Sequence, residues 1–452
     1  MIERTRRRAL ALAVPAVAAL VVLASCGNKS GDKAGPVPTL TGDCAKYQAF
    51  AGHAGKTVSM FASIISPESD SLQKSWSEFS QCTGIKINYE GSNDFESQLQ
   101  VRVSGGTAPD FAIIPQPGLL QQMVKTGKVV KPPAMTVTNV DKYWNKAWKA
   151  YGTVNGTFYA APMSANMKSL VWYSPKAFTA ANYKVPTTWA DMMSLSDTIA
   201  ATGKKPWCGG IGSGTATGWP ATDWIEQIVL RTGGGDVYDK WVSHDIKFSS
   251  PEIKKAMETL QGWMLNPKYV NGGFGDVKSI ATTTFQDAGK PILNGSCFML
   301  QQASFYGAQW PKGTKIAEDG DVFAFYLPGI ESSVSTPVVG GGEFATAFAN
   351  RPEVQAVQNY LTTPEWHTSR IKAATGWVSA NQGADQTAYT DPIDKLSAKY
   401  LTDPNATFRF DASDLMPAAV GSGQEWKSMT AWFAEGKSIE QVTKDIDAAW
   451  PS

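Results

Sequence analysis

The sequence predicts an α/β protein built as two lobes or more. Two observations carry this. Apolar strands alternate with amphipathic helices through residues 57–115, and a strand–helix–strand–helix–strand run implies right-handed crossovers and a largely parallel sheet. The chain beyond its leader, residues 26–452, is also too long for one simple core.

The leader comes first. Arg4, Arg6, Arg7 and Arg8 make a basic start, and residues 9–24 carry no charge. That apolar run is shorter than the ~20 residues a helix needs to span a bilayer. With a small-residue cleavage site behind it, the pattern reads as a secretory signal over residues 1–25. The site, Leu23-Ala24-Ser25-Cys26, resembles the bacterial lipobox, in which the cysteine becomes the lipidated first residue. The alternative is an ordinary cleaved signal. Residues 26–55 are then expected to be a lipidated tether, since the stretch from Gly27 to Pro38 has no apolar periodicity. No later segment is apolar enough to cross a membrane as a helix. The expected place of work is therefore outside the cytoplasm, in water, with the chain anchored to the cell membrane through Cys26.

Residues 57–65 read as the first strand. Leu72, Trp76 and Phe79 fall at i, i+4 and i+7, which predicts a helix over 68–81 closed by Gly84. Alternation over 85–90 predicts a strand. Phe95, Leu99 and Val103 form one stripe of a helix over 93–103, and 110–115 is a short buried strand. Further helices are expected near 188–201, 222–232, 251–264 and 281–289. Ser250 and Pro251 suit a cap and a first turn, and Ile253, Met257, Leu260 and Met264 follow as the apolar stripe. Residues 322–329 and 337–349 read as extended. A capping box at Ser438 and Gln441 opens the last helix, whose buried face is Ile439, Val442, Ile446 and Ala449. There is no internal repeat.

Charge excludes some partners. The 41 basic and 40 acidic residues leave a net charge of +1, and the leader with four Arg and one Glu carries +3 of it, so the remainder is −2. A nucleic-acid footprint would need clustered Lys and Arg. Five cysteines become four when Cys26 carries a lipid, and an even number in an oxidising compartment suggests two disulfides. Three pairings are possible. Cys44–Cys82 with Cys208–Cys297 keeps each bridge within one lobe and is preferred; free buried thiols are the alternative. Zinc is not expected, because no two of these cysteines are close in sequence and His53, His244 and His367 are the only histidines.

No catalytic constellation emerges. No spacing singles out a carboxylate pair of the glycosidase kind, no histidine has a triad setting, and no phosphate loop is present. The glycine-rich run Gly209 to Gly214 reads most simply as a mobile surface loop. Aromatic and amide residues near strand ends stand out instead. A sugar has apolar C–H faces and an edge of hydroxyls, so flat rings with amide or charged groups suit it. Trp219 precedes a helix, Gln301, Gln302, Ser304 and Phe305 follow a strand, Gln116 follows another, and Asp411 and Asp414 share a short segment. For any single ring, core packing is the simpler reading. Several together at strand ends, where ligands bind open α/β sheets, carry the case.

These residues give the chain a resemblance to the sugar-binding subunits of bacterial ABC importers, the maltose-binding-protein class of extracellular solute receptors. It rests on Gly105-Gly-Thr-Ala-Pro-Asp110, Gly156-Thr-Phe-Tyr-Ala-Ala-Pro162, Leu170-Val-Trp-Tyr173 and Asn294-Gly-Ser-Cys-Phe-Met299. Pro206-Trp-Cys208, the stretch from Ala216 to Trp224 and that from Phe408 to Pro417 are similar to α-glucoside-binding members. The resemblance implies a two-lobed periplasmic-binding-protein fold of type II, with ligand between the lobes and crossings near 159–165, 321–327 and 374–380. Lobe one would be 56–160 plus 326–375, and lobe two 165–322 plus 378–452. By position it implies ligand contacts from Gln116, Trp219, Asp223, Gln302, Phe305, Gly341, Gly342, Glu343, Asp414 and Trp426. It further implies no enzyme activity, cofactor or metal, a monomer, a saccharide ligand and a membrane permease as partner. Tyr173-Ser-Pro175 departs from the Tyr-Asn-Lys of many members, beyond the hinge. Two competing readings remain: a surface-tethered carbohydrate-active enzyme, and a receptor for a non-sugar solute.

Overall fold

The computed structural model describes residues 37–451, so the leader and Cys26 lie outside the described residues. The first strand, Thr57–Ala62, pairs parallel with Lys86–Gly91 on one side and Phe111–Ile114 on the other. This is the crossover pattern expected from the alternation. Two antiparallel strands, Phe344–Ala347 and Ala160–Pro162, complete a five-stranded sheet. A second, four-stranded sheet joins Phe323–Tyr326, Leu170–Tyr173, Cys297–Gln301 and Lys205–Trp207. The two sheets with their helices make two α/β lobes. A three-stranded sheet of Thr407–Phe410, Pro337–Gly341 and Asn166–Met167 lies at the passage between lobes.

Each lobe has its own apolar core. Val58, Met60 and Phe79 bury on one face of the five-stranded sheet, and Phe61, Leu99 and Ile114 on the other. The larger second core gathers Trp172, Trp207, Trp241 and Trp263. Both preferred disulfides are present, Cys44–Cys82 in the first lobe and Cys208–Cys297 in the second.

The crossings differ from expectation. Segments 163–166, 341–344 and 376–378 run side by side. Met163 N–H donates to the Glu343 carbonyl at 2.8 Å, and Ala165 and Val378 exchange backbone bonds of 2.7 and 3.2 Å. The second passage is therefore near 341–344, not 321–327. The reason is pairing: Phe323–Tyr326 lies antiparallel to Leu170–Tyr173, and Val338 and Val339 bury in the second core. Residues 326–341, expected in lobe one, belong with lobe two. Past Val378 the chain returns to the first core through Ala384, Ala388 and Tyr389 before Ile393 enters the second.

Other elements also depart. The described part of the expected tether is folded from Leu40 onward: Gly42–Phe50 is a 3-10 helix that buries Tyr47 and Phe50 against Phe79 and Tyr360. The helix over 68–81 is two, Glu68–Ser75 and Ser77–Thr83, broken at Trp76. No helix forms over 281–289; turns fill it between the short 3-10 helices Val277–Ala281 and Lys290–Asn294. Ser250 stands at a helix N-cap, but its side chain makes no capping bond. The Gly209–Gly212 backbone is buried rather than a surface loop, because a Cβ on Gly210 or Gly212 would lie 2.8 or 2.9 Å from the Thr283 carbonyl oxygen.

Candidate functional site

Between the lobes lies a space of about 890 Å³, its opening included. The lobes touch at its mouth. Thr215 N–H donates 3.0 Å to Asp94 Oδ1, and the Ser97 and Thr215 hydroxyls are 3.4 Å apart. This is a closed arrangement.

One wall is aromatic. Gly218 takes φ +113°, and a Cβ there would sit 2.2 Å from the Trp426 carbonyl oxygen. Glycine alone lets the chain turn this tightly into the helix Trp219–Val242. The turn aims the Trp219 ring at the cleft. Phe285 meets it edge-on with centroids 4.9 Å apart, and Phe305 lies at 6.0 Å. Together these rings offer an apolar face to the cleft.

The other wall is acidic. Glu68, Glu96, Glu343, Asp411 and Asp414 line the space, with Lys168 as the one lining cation among the described residues. Lys168 Nζ donates to Asp223 Oδ1 at 2.9 Å and to Asp411 Oδ2. Burial works against its charge, but Asp223, Asp411, Asp414 and Glu226 hold its pKa well above the usual range. Burial likewise opposes ionisation of Asp411, yet Lys168 and the Asp414 amide keep it below the usual carboxylate range. Asp223 goes the other way, raised by burial and by Asp411. Burial, then the Glu343 charge, pushes Glu68 up to about 8, with Arg370 opposing. Burial pushes Glu343 up to about 7 against Arg370 and Lys168. Both glutamates keep a partly accessible face on the cleft.

Four polar atoms on the lining have no partner among the described residues: Glu96 Oε2, Gln116 Oε1, Asn166 Oδ1 and Trp426 Nε1. An unpaired buried polar atom costs about 1–3 kcal/mol, so these four atoms are open to hydrogen bonds from whatever fills the space.

Seven of the ten residues singled out from the sequence line this space: Gln116, Trp219, Phe305, Gly342, Glu343, Asp414 and Trp426. Three do not. Asp223 sits behind the wall on Lys168. Gln302 turns back to accept from the Ala303 amide. A Cβ on Gly341 would lie against Asn166 and Lys168 rather than open space. Lys168, Glu68, Glu96, Asn166 and Phe285 were not foreseen. Lys168 had a signal, a lone charge directly before the apolar strand Leu170–Tyr173. Phe285 fell in the stretch misread as a helix.

Residues 65–368 match the family described as bacterial extracellular solute-binding protein. The α-glucosides-binding periplasmic protein AglE of Rhizobium meliloti is 34% identical over 411 residues, 88% of each chain. The osmoprotective compounds-binding protein GgtB of Synechocystis is 33% identical over 439 residues, 96% of this chain and 98% of that one. The bacterial solute receptor AcbH superposes with a TM-score of 0.74 at 18% identity, over 87% of this chain and 98% of that one. The maltose-bound MalE3 of T. maritima superposes with a TM-score of 0.66 at 17% identity, with the same coverage.

Proposed function

This chain belongs to the bacterial extracellular solute-binding protein family, and we propose that it is the sugar receptor of an ABC importer, capturing an α-glucoside or small oligosaccharide in the interlobe cleft. The observation that carries the reading is the pairing of an aromatic wall, Trp219 with Phe285 and Phe305, with unpartnered atoms on Glu96, Gln116, Asn166 and Trp426. Rings cover the apolar face of a pyranose, and the orphaned atoms complete its hydroxyls. The α-glucosides-binding relative, alike over most of both chains, supports the sugar class.

Binding works by population shift. An open form exposes both walls, and a ligand that touches both favours the closed one. The closed form then presents the lobes together to the permease. Lipidated Cys26 keeps a monomeric receptor beside that partner.

A thermal-shift screen of residues 26–452 against maltose, trehalose, sucrose and maltotriose tests this. At least one is expected to raise the melting temperature in a saturable way. No shift with any of them, alongside a shift with a non-sugar solute, overturns it.

A further inference from the structure

We propose that Asp94 and Thr215 form a clasp between the lobes that sets how long a bound solute is retained, from positions outside the solute's reach. The inference rests on the receptor reading above, and on its saccharide part only through the probes used.

Asp94 belongs to the first lobe. It stands directly before the helix Phe95–Ser104, whose Phe95, Leu99 and Val103 bury in that lobe's core. An aspartate in that place ordinarily accepts from an amide in the first turn of its own helix. Asp94 does not. Its φ of −104° and ψ of 23° lie away from the extended angles of a capping residue, and no side-chain capping bond forms. Its carboxylate accepts instead from Thr215 N–H of the second lobe, at 3.0 Å. That is the one hydrogen bond its side chain makes among the described residues.

The opposing turn, 213–217, keeps its own shape. Thr217 Oγ1 accepts from Ser213 N–H at 3.0 Å and donates to the Gly214 carbonyl at 2.7 Å, and Ala216 N–H donates to the Ser213 carbonyl at 3.0 Å. Thr215 N–H is left unused by the turn. Gly214 takes φ +56°, and a Cβ there would stand 3.0 Å from both Asn93 Cβ and Asp94 Oδ1, so the two lobes meet with no room for a side chain. When the lobes part, Asp94 and Thr215 return to water and neither side loses an internal bond. The contact therefore adds to the closed form alone.

The clasp is placed to respond to a solute. Asp94, Ser97 and Thr215 do not line the cleft, but their neighbours Asn93, Ser213 and Ala216 do. Trp219 N–H donates to the Ala216 carbonyl at 3.3 Å, and Gly218 N–H to the Ile211 carbonyl at 3.0 Å. A solute on the Trp219 ring is thus met by the same tied segment that carries Thr215. A carboxylate accepting from an amide makes a charge-assisted bond, stronger than a neutral one. Losing it lowers the closed share of the complex. The solute enters through the open form, so its departure speeds up while its arrival does not change.

Two measurements on residues 26–452 test this. Stopped-flow binding of maltose, trehalose, sucrose and maltotriose gives the two rates. For a sugar that binds, Asp94→Ala should release it roughly three- to tenfold faster with the association rate unchanged. Asp94→Asn keeps an acceptor and should release it more slowly than Asp94→Ala. Release unchanged in Asp94→Ala overturns the proposal, as does Asp94→Asn releasing as fast as Asp94→Ala. The second measurement needs no sugar. The Ser97 and Thr215 hydroxyls are 3.4 Å apart, so Ser97→Cys/Thr215→Cys should form a bridge between positions 97 and 215 on mild oxidation, seen by peptide mapping, and small-angle scattering should show a more compact molecule than the reduced form. No such bridge in the folded variant overturns the clasp. Failure of all four sugars to bind would remove the saccharide reading and leave the bridge to decide this one.

Discussion

Trp219 shows how one ring acquires a role from its setting. It is partly exposed on the cleft, supported edge-on by Phe285, and fixed by the turn at Gly218. If it stacks on sugar, Trp219→Ala should weaken binding by more than about 1 kcal/mol, roughly fivefold or more, with little loss of melting temperature. A titration of both proteins checks this. Lys168 should behave oppositely. It is buried between Asp223 and Asp411, so Lys168→Met would strand two carboxylates. Breaking a buried pair by removing one partner costs about 3–5 kcal/mol, and denaturant unfolding should show a loss of that order. Neither role follows from residue type alone. Trp219 was legible only in company, as one of several aromatic and amide residues near strand ends and through the family resemblance. Lys168 was not, because its partners lie 55 and 243 positions away in sequence.

At the scale of elements, periodicity served where one face packs on one neighbour. The stripe Ile253, Met257, Leu260 and Met264 is buried in the helix Pro251–Met264. Half of the expected capping box forms: Ser438 accepts from the Gln441 amide at 3.2 Å, while the Gln441 side chain donates to Asp445 instead of turning back to the cap. Periodicity misled where turns carry scattered apolar residues. Ile280 and Ala288 bury in the second core without any helix between them, and their backbone closes over Gly210 and Gly212. Backbone approaches of this kind leave no periodic trace, only glycines. Gly218→Ala therefore tests the element scale. Left-handed φ and the Trp426 carbonyl oxygen both oppose a Cβ there. The variant should lose about 1–3 kcal/mol of stability and also bind sugar more weakly, because the turn that aims Trp219 shifts.

At the scale of the molecule, the two bridges and the acidic cleft set stability. Cys208–Cys297 closes 89 positions of the second lobe, and replacing both cysteines by serine should cost about 2–5 kcal/mol. Cysteine parity made the number of bridges legible and the two-lobed reading their pairing; the crossings were not, because a strand's sheet depends on partners far along the chain. Glu68 and Glu343 give the pH dependence. Their folded pKa values, about 8 and about 7, stand above the usual 4.5. Carboxyls raised on folding stabilise fully below their unfolded pKa, and this contribution is lost as pH rises through the folded values. The melting temperature should therefore fall between pH 5 and pH 8 by an amount that Glu68→Gln/Glu343→Gln reduces. A slope unchanged in the variant would assign it to other groups.

The central claim is that a sugar is held between Trp219 and the acidic wall. Calorimetric titration of residues 26–452 with maltose, trehalose, sucrose and maltotriose, repeated on Trp219→Ala, tests it most directly. The account predicts saturable one-to-one heat with at least one of these sugars and an affinity reduced at least fivefold in the variant. Saturable heat with an affinity untouched by the substitution would contradict it.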